Sequence, residues 1–464
     1  MFPVVPTETR ATLDGVERRF DINGDGKIDY AERLGPDGRI TVLRFDTNAD
    51  GDLDQEINRF APGPDDRHLI IIVDSVPFGL MEGLWRDGRF RLFHPPSCTI
   101  SPFPVMTDVS LAEFFGVSPC PGAESEFYDG AKLSEGYDNY ANERNAIWLA
   151  RTDYHMINFA HAIAYFYPHA WFDHELHYIQ KYFQRSAKSP FIGYCVCTSA
   201  LGAMLGRNGH LAGLIRLDRM CEQMMWQARG KLQITLLSDH GHNLVPSKRV
   251  PLTETLENAG YRITTRLKVR GDIVVPEFGI VTCAGIYTRD AEHVARDVVG
   301  IDGVEQAMYL GDNDSVVVLA RCGARATISH ANGKYRYVAQ QGDPLNLMPI
   351  VKQLVDADGW IADAALFDAT KSHEYPDAVH RVWRAFHGLM AHPPDVMLAV
   401  SDGWHCGSKF MTDVLDLQAA HGNLGRPSSN GFVMTTMGHV PGITRMEDLA
   451  AALRILGVPL NPRD

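Results

Sequence analysis

Leu69-Ile70-Ile71-Ile72-Val73 is an unbroken apolar run that stops at Asp74-Ser75. A strand with one wet face alternates apolar and polar side chains. A strand without alternation is covered on both faces, the condition of a parallel sheet packed between helices. Three later stretches share the form: residues 191–197, residues 232–237 followed by Ser238-Asp239-His240-Gly241, and residues 396–400 followed by Ser401-Asp402-Gly403. The chain therefore reads as α/β, with a largely parallel central sheet and helices on both faces. Sheets of this kind gather their active sites at the carboxyl ends of the strands, where these polar residues fall.

Residues 265–345 read differently. Short β-rich stretches alternate with turns, and Ala331-Asn332-Gly333-Lys334 is a hairpin signal. They predict a small inserted α+β cap, which divides the main domain into 67–264 and 346–464. The tail from Arg445 to Leu456 reads as a closing helix.

The front of the chain, residues 1–62, carries one short pattern twice, 25 positions apart: Asp21-Ile22-Asn23-Gly24-Asp25-Gly26-Lys27-Ile28-Asp29 and Asp46-Thr47-Asn48-Ala49-Asp50-Gly51-Asp52-Leu53-Asp54. Both read D-x-N-x-D-G-x-[IL]-D and resemble the start of an EF-hand calcium loop, here as a dockerin-like pair. Oxygens at positions 1, 3 and 5 wrap a hard cation, and Gly at 6 makes the sharp turn. The first loop then offers Asp21, Asn23, Asp25, Lys27, Asp29 and, at position 12, Glu32. The second offers Asp46, Asn48, Asp50, Asp52 and Asp54, but Ile57 stands at 12 and Glu56 at 11. The second loop is expected to bind more weakly. The segment 61–66, Ala-Pro-Gly-Pro-Asp-Asp, reads as a linker.

Net charge of -13 argues against a nucleic-acid duplex or an anionic membrane as partner. No run of 18 apolar residues suggests a membrane span, and no basic and apolar leader is visible at the start. The eight cysteines are scattered, and Cys195 and Cys197 are too close on one strand to bridge. Scattered thiols predict a reducing, cytoplasmic setting; weak calcium loops point instead to a periplasmic or secreted protein whose leader has been removed.

Two carboxylates and an imidazole at strand ends, Asp74, Asp239 and His240, suit a Zn2+-like or Mn2+-like ion. Thr107, in Phe103-Pro104-Val105-Met106-Thr107-Asp108, precedes an apolar-periodic stretch that ends at Gly116. Its hydroxyl reads either as that helix's N-cap or as a nucleophile favoured by the positive helix end and a nearby metal. His421, in Ala-His-Gly-Asn-Leu, gains meaning only beside the others.

In this order, strand-Asp74, Thr107, Ser-Asp-His-Gly with Asp239 and His240, then His421, the residues from about 67 to 455 resemble the alkaline phosphatase superfamily, in its type I phosphodiesterase/nucleotide pyrophosphatase branch. The resemblance implies one metal on Asp74, Thr107, Asp239 and His240, and a second on an Asp, a His and the late His421. At the second position the chain departs: Ser199 and Ala203 stand where Asp and His are expected. His210, His242, His405 and Asp402 are the substitute ligands within sequence reach, with His242 also a candidate base. Ser125 is the best match to a phosphate-orienting Asn. No Cys sits in the C-x-P-x-R pattern of sulfatases. The expectation is a hydrolase of small phosphate esters, diesters or phosphonate-like monoanions, with a Thr nucleophile, one Zn2+ or Mn2+ in a reduced site, and Ca2+ in the front loops. The alternative is a catalytically impaired, calcium-stabilised binding protein.

Overall fold

The computed structural model describes residues 5–59, 63 and 66–460. Most of the expected linker at 61–66, and Met1 to Val4, lie outside the described residues.

A six-stranded sheet carries the site. Its parallel heart is β6 (Arg67–Val73) between β8 (Phe191–Cys195) and β9 (Leu232–Leu237), with Leu69 level with Phe191 on one side and Ile234 on the other. Strand Asn430–Thr435 continues the sheet antiparallel to β9, and β7 (Ser97–Ile100) pairs antiparallel to it in turn. The unbroken apolar run now has its reason. Leu69, Ile71 and Val73 enter one core with Ile179 of helix Pro168–Arg185 and Leu214 of helix Cys197–Gln227. Ile70 and Ile72 enter the opposite core with Leu111, Phe114 and Leu449. Each such side chain removed from water contributes about 1.5–3 kcal/mol. Helix Met446–Ile455 closes the chain as read.

Val396–Val400 belongs elsewhere. It lies in a nine-stranded sheet, antiparallel to Cys283–Thr288 and Val304–Leu310. Its apolar run is real, because Met397 and Ala399 face one core and Val396, Leu398 and Val400 another. Burial on both faces is indifferent to strand direction, so the pattern could not separate it from the parallel strands. The same sheet takes in Ile361–Ala362, so it crosses the boundary placed at 345.

The front module corrects the EF-hand reading. Residues 5–59 form a five-stranded antiparallel meander, β1 (Glu8–Thr12), β2 (Gly15–Phe20), β3 (Tyr30–Leu34), β4 (Ile40–Phe45) and β5 (Gln55–Asn58). Each acidic loop joins two strands, where an EF-hand joins two helices. Glu32 lies on β3, with its carboxylate on Arg18 (2.5 Å) and the Tyr30 hydroxyl (3.1 Å). The motif specifies the nine-residue turn alone and is silent on the flanks, where Leu43 and Phe45 enter the core from alternate positions of a strand. Within the turn, Asp21 accepts from the amides of Gly24 (2.7 Å) and Gly26 (2.8 Å), and Asp46 from those of Ala49 and Gly51 (both 2.7 Å). Gly24 at φ 77° fills the left-handed position cheaply; Ala49 fills its counterpart at φ 62°. A side chain there costs of order 1 kcal/mol. The module is anchored: Phe20, Tyr30 and Phe45 join the main core, and buried Arg59 donates to the carbonyls of Gly230 and Leu232.

Among the described residues no helix is long and apolar enough to cross a membrane.

Candidate metal centre and catalytic pocket

The parallel strands end together, and their ends make the site. Asp74 follows β6 and Asp239-His240 follow β9, so adjacent strands place the three at one edge. All are buried, and one ligand atom from each lies within 4.8 Å of the others. The His240 ring is held from behind: Nδ1 and the Gly241 carbonyl are 3.0 Å apart, which puts the proton on Nδ1 and leaves Nε2 as a lone pair facing Asp239 Oδ2 at 3.2 Å. Asp239 Oδ1 accepts from the amides of Ser75 (3.0 Å) and His240 (2.9 Å), while Oδ2 is buried with no hydrogen-bond partner. Burial, and then the neighbouring Asp74, push the Asp239 carboxyl well above the carboxylate range. Burial lowers the His240 imidazole. An orphaned buried carboxylate oxygen aimed at an unprotonated imidazole nitrogen fits a divalent transition ion, which Asp74, Asp239 and His240 could hold.

Asp74 has two partners the sequence did not suggest. Ser75 Oγ donates to Oδ1 (2.5 Å), and the Tyr194 hydroxyl donates to Oδ2. Tyr194 sits on β8 level with Ile72, one residue short of the strand's end. Parallel register was the signal that could have found it.

Thr107 opens helix α2 (Thr107–Phe115), but it is not the cap. The N-cap is Met106, and no side-chain cap bond forms. The Thr107 hydroxyl instead lies 3.2 Å from His240 Nε2. The next residue, Asp108, is pinned by Trp148 Nε1 (2.9 Å) and Asn145 Nδ2 (2.6 Å), which ties the start of α2 to the far wall. Gly116 ends the helix at φ 67°, as the sequence suggested.

The second position is sparse. Helix Cys197–Gln227 begins there, its first amides held by buried Glu175, which accepts from Val196 N (3.1 Å) and Cys197 N (2.9 Å). Ser199 Oγ lies 3.3 Å from Ser75 Oγ, whose proton is committed to Asp74, and bonds the Tyr165 hydroxyl. Ala203 contributes its carbonyl to Gln418 N. His421 is present, stacked 4.1 Å from His240, with Nδ1 2.8 Å from the Val105 carbonyl. His242 lies behind His421 (ring centroids 5.5 Å) and 3.2 Å from His210 Nε2. Those two rings approach because Gly202 has no side chain; a Cβ there would fall 2.1 Å from His210 Nε2. Burial takes His210 and His421 down to about 3, so both are neutral. His405 and Asp402 are occupied elsewhere. His405 bonds Ser247 and Thr412, and Asp402 accepts from Asn243 and Asn423.

A cavity of about 220 Å³ opens in front of Asp74, Thr107, Ser199 and His421. Its walls include Tyr140, Trp148, Tyr165, Tyr194 and Phe278, with no Lys or Arg among its lining residues. Ser125 lines it too, its carbonyl taken by Asn139 Nδ2. Burial raises the Asp108 carboxyl and takes Glu124 up to about 7.

No family model matches the chain, and no curated protein matches its sequence. Solved structures do. Murine ectonucleotide pyrophosphatase/phosphodiesterase 5 aligns at a TM-score of 0.42 and 13% identity, over 86% of this chain and 97% of that one. The human protein of the same name aligns at 0.42 and 12%, over 86% and 96%. An inactive murine variant in complex with AMP aligns at 0.41 and 13%, over 86% and 97%. Likeness at this level says nothing of substrate or activity in this chain.

Proposed function

We propose that the chain is a metal-dependent hydrolase of phosphate esters, with Thr107 as nucleophile and one Zn2+ or Mn2+ held by Asp74, Asp239 and His240. The observation that carries this reading is that Asp74 and Thr107 line one cavity, while behind them the Thr107 hydroxyl and the orphaned Asp239 Oδ2 each lie 3.2 Å from the buried His240 Nε2. The bound ion would lower the pKa of the Thr107 hydroxyl and neutralise charge on the phosphoryl oxygens. Thr107 adds the positive end of α2. Its Oγ1 gives up its proton to cavity water and forms a bond to phosphorus as the bond to the leaving ester oxygen breaks in line; that oxygen departs with the electron pair and takes a proton from water. Water then adds to phosphorus, the Oγ1–P bond breaks, and Thr107 recovers its proton. His421, neutral and lining the cavity, is better placed than His242 to accept the proton of that water.

The cavity's lining supports a monoanionic diester or phosphonate-like substrate over a dianionic monoester. Its walls offer no Lys or Arg to a second negative charge, and the rings favour an aryl or other flat ester arm. Thr107→Ala should abolish turnover of an aryl phosphodiester while leaving fold and metal content intact, and Thr107→Ser should keep part of the rate. Turnover by the Ala variant at the parent rate would overturn this role.

Ser199 and Ala203 favour a second reading, a pseudoenzyme that binds without cleaving. Absence of any turnover in protein carrying its ion would establish it. In either reading the front loops are assigned Ca2+, supported by their repeated D-x-N-x-D-G-x-[IL]-D pattern; in the first turn Asp21, Asn23, Asp25 and Asp29 accept from the loop's own amides.

A further inference from the structure

A second hollow, a cleft of about 810 Å³, opens on the surface at His242, whose ring lies 5.5 Å from that of His421. His242 lines this cleft, while His421 lines the cavity. The two hollows differ sharply in charge. The chain as a whole carries -13, and the cavity has no Lys or Arg in its walls; the cleft gathers Arg207, Lys371 and Arg426. Its single lining carboxylate, Glu82, pairs with Arg86 at 2.8 Å. Arg207 is exposed and forms no ion pair among the described residues. Arg426 spends its side chain on the Ser372 carbonyl at 3.3 Å, which leaves its charge uncompensated. Lys371 is shared with Asp368. Helix α1 (Phe78–Arg86) adds to the field, since Phe78 and Gly79 of its first turn line the cleft, without an acidic residue or a side-chain cap there.

Three cations line this cleft of an acidic protein, two of them in no ion pair among the described residues, and a cleft lined by one sign of charge concentrates counter-ions of the other. We propose that this cleft is a second binding site, separate from the catalytic cavity, for a small phosphorylated molecule in its dianionic form. Two guanidinium groups suit a phosphate with two negative charges, each able to make paired N–H···O bonds. The cavity, without such groups, suits one negative charge. The cleft is therefore selective for phosphate monoesters and inorganic phosphate where the cavity is selective against them.

The test titrates the metal-loaded, full-length protein with inorganic phosphate, and separately with sulfate as a dianion that no phosphoesterase consumes. Phosphorus NMR line broadening and calorimetry read the binding. Arg207→Glu with Arg426→Glu should weaken both anions by about tenfold or more, and turnover of an aryl phosphodiester without added phosphate should stay within about twofold. The milder pair Arg207→Gln with Arg426→Gln, checked by its melting temperature, covers the case in which reversal of charge harms folding. It should weaken binding less but in the same direction. Affinity unchanged in both pairs would overturn the proposal. So would binding that disappears in Asp239→Asn, because the anion would then sit at the catalytic centre.

Discussion

Two adjacent positions at the strand ends began from the same topology and differ in what they offer an ion. At one, Asp74, Asp239 and His240 crowd together, with Tyr194 and Ser75 steadying Asp74 and Gly241 fixing the His240 ring. At the other, His421 stands with Ser199 and Ala203, and the nearest imidazoles, His242 and His210, bond each other. A position keeps its metal only while charge and supporting bonds are kept together. The second position has a Ser–Ser–Tyr set of hydroxyl contacts in place of a carboxylate. A two-ion clamp holds both the attacking and the leaving oxygen. On the proposed reading only the rich position would activate Thr107, and the enzyme would cleave activated esters slowly.

The largest effect expected from breaking this contrast is at Asp239. Asp239→Asn removes the orphaned oxygen's charge, and turnover of an aryl phosphodiester should fall by about a thousandfold or more, with loss of the transition ion by elemental analysis. A variant that keeps both ion and rate would place the centre elsewhere. A smaller, opposite effect comes from rebuilding the poor position. Ser199→Asp with Ala203→His should admit a second ion and raise the rate about tenfold; a rebuilt protein with two ions and no gain would leave the second position irrelevant to rate.

How much of this was legible follows from what each signal encodes. The apolar run before Asp74 specified burial on both faces, and β6 has it. The same signal at Val396–Val400 carried no direction, and that strand lies antiparallel in the second sheet. The acidic repeat specified two tight turns and was silent on their flanks, which are strands. Asp74, Asp239, His240 and Thr107 could be nominated because each follows or opens a regular element. Tyr194 and Ser75 could not, since they act through register or through a partner more than one hundred residues away, and Glu175 could not, since nothing in the sequence links a mid-helix Glu to the amides of Val196 and Cys197. His405 and Asp402 show the reverse: close in sequence to strand ends, and committed to other bonds.

Glu175 sharpens the comparison through pH. It holds the first turn of the helix that carries Ser199, and burial takes its carboxyl up to about 7. A raised folded pKa means that the folded state holds the proton more tightly. The associated stability is present below about 4.5 and is lost as pH rises through about 7. Glu175→Gln should flatten that part of the stability–pH curve, a difference of up to about 3 kcal/mol, read from denaturant midpoints across pH 4 to 8. Parallel curves would show that Glu175 is not the group responsible.

The front loops repeat the rich-and-poor contrast at lower energy. Chelation of calcium should lower the melting temperature by about 2–5 °C, and Asp21→Ala should cost more than Asp46→Ala, because the second turn already bears Ala49 in a left-handed conformation. Equal shifts, or none, would remove the distinction between the loops.

The central claim is settled most directly by counting ions at the strand ends. Protein loaded with Zn2+ or Mn2+ in the presence of calcium, then crystallised with anomalous data collected at the metal edge, should show one transition ion per chain. It should be bound to Asp74, Asp239 and His240 beside Thr107, with none at Ser199 and His421. Two ions in the parent chain would contradict the account. An empty Asp74–Asp239–His240 cluster under the same loading would contradict it from the other side.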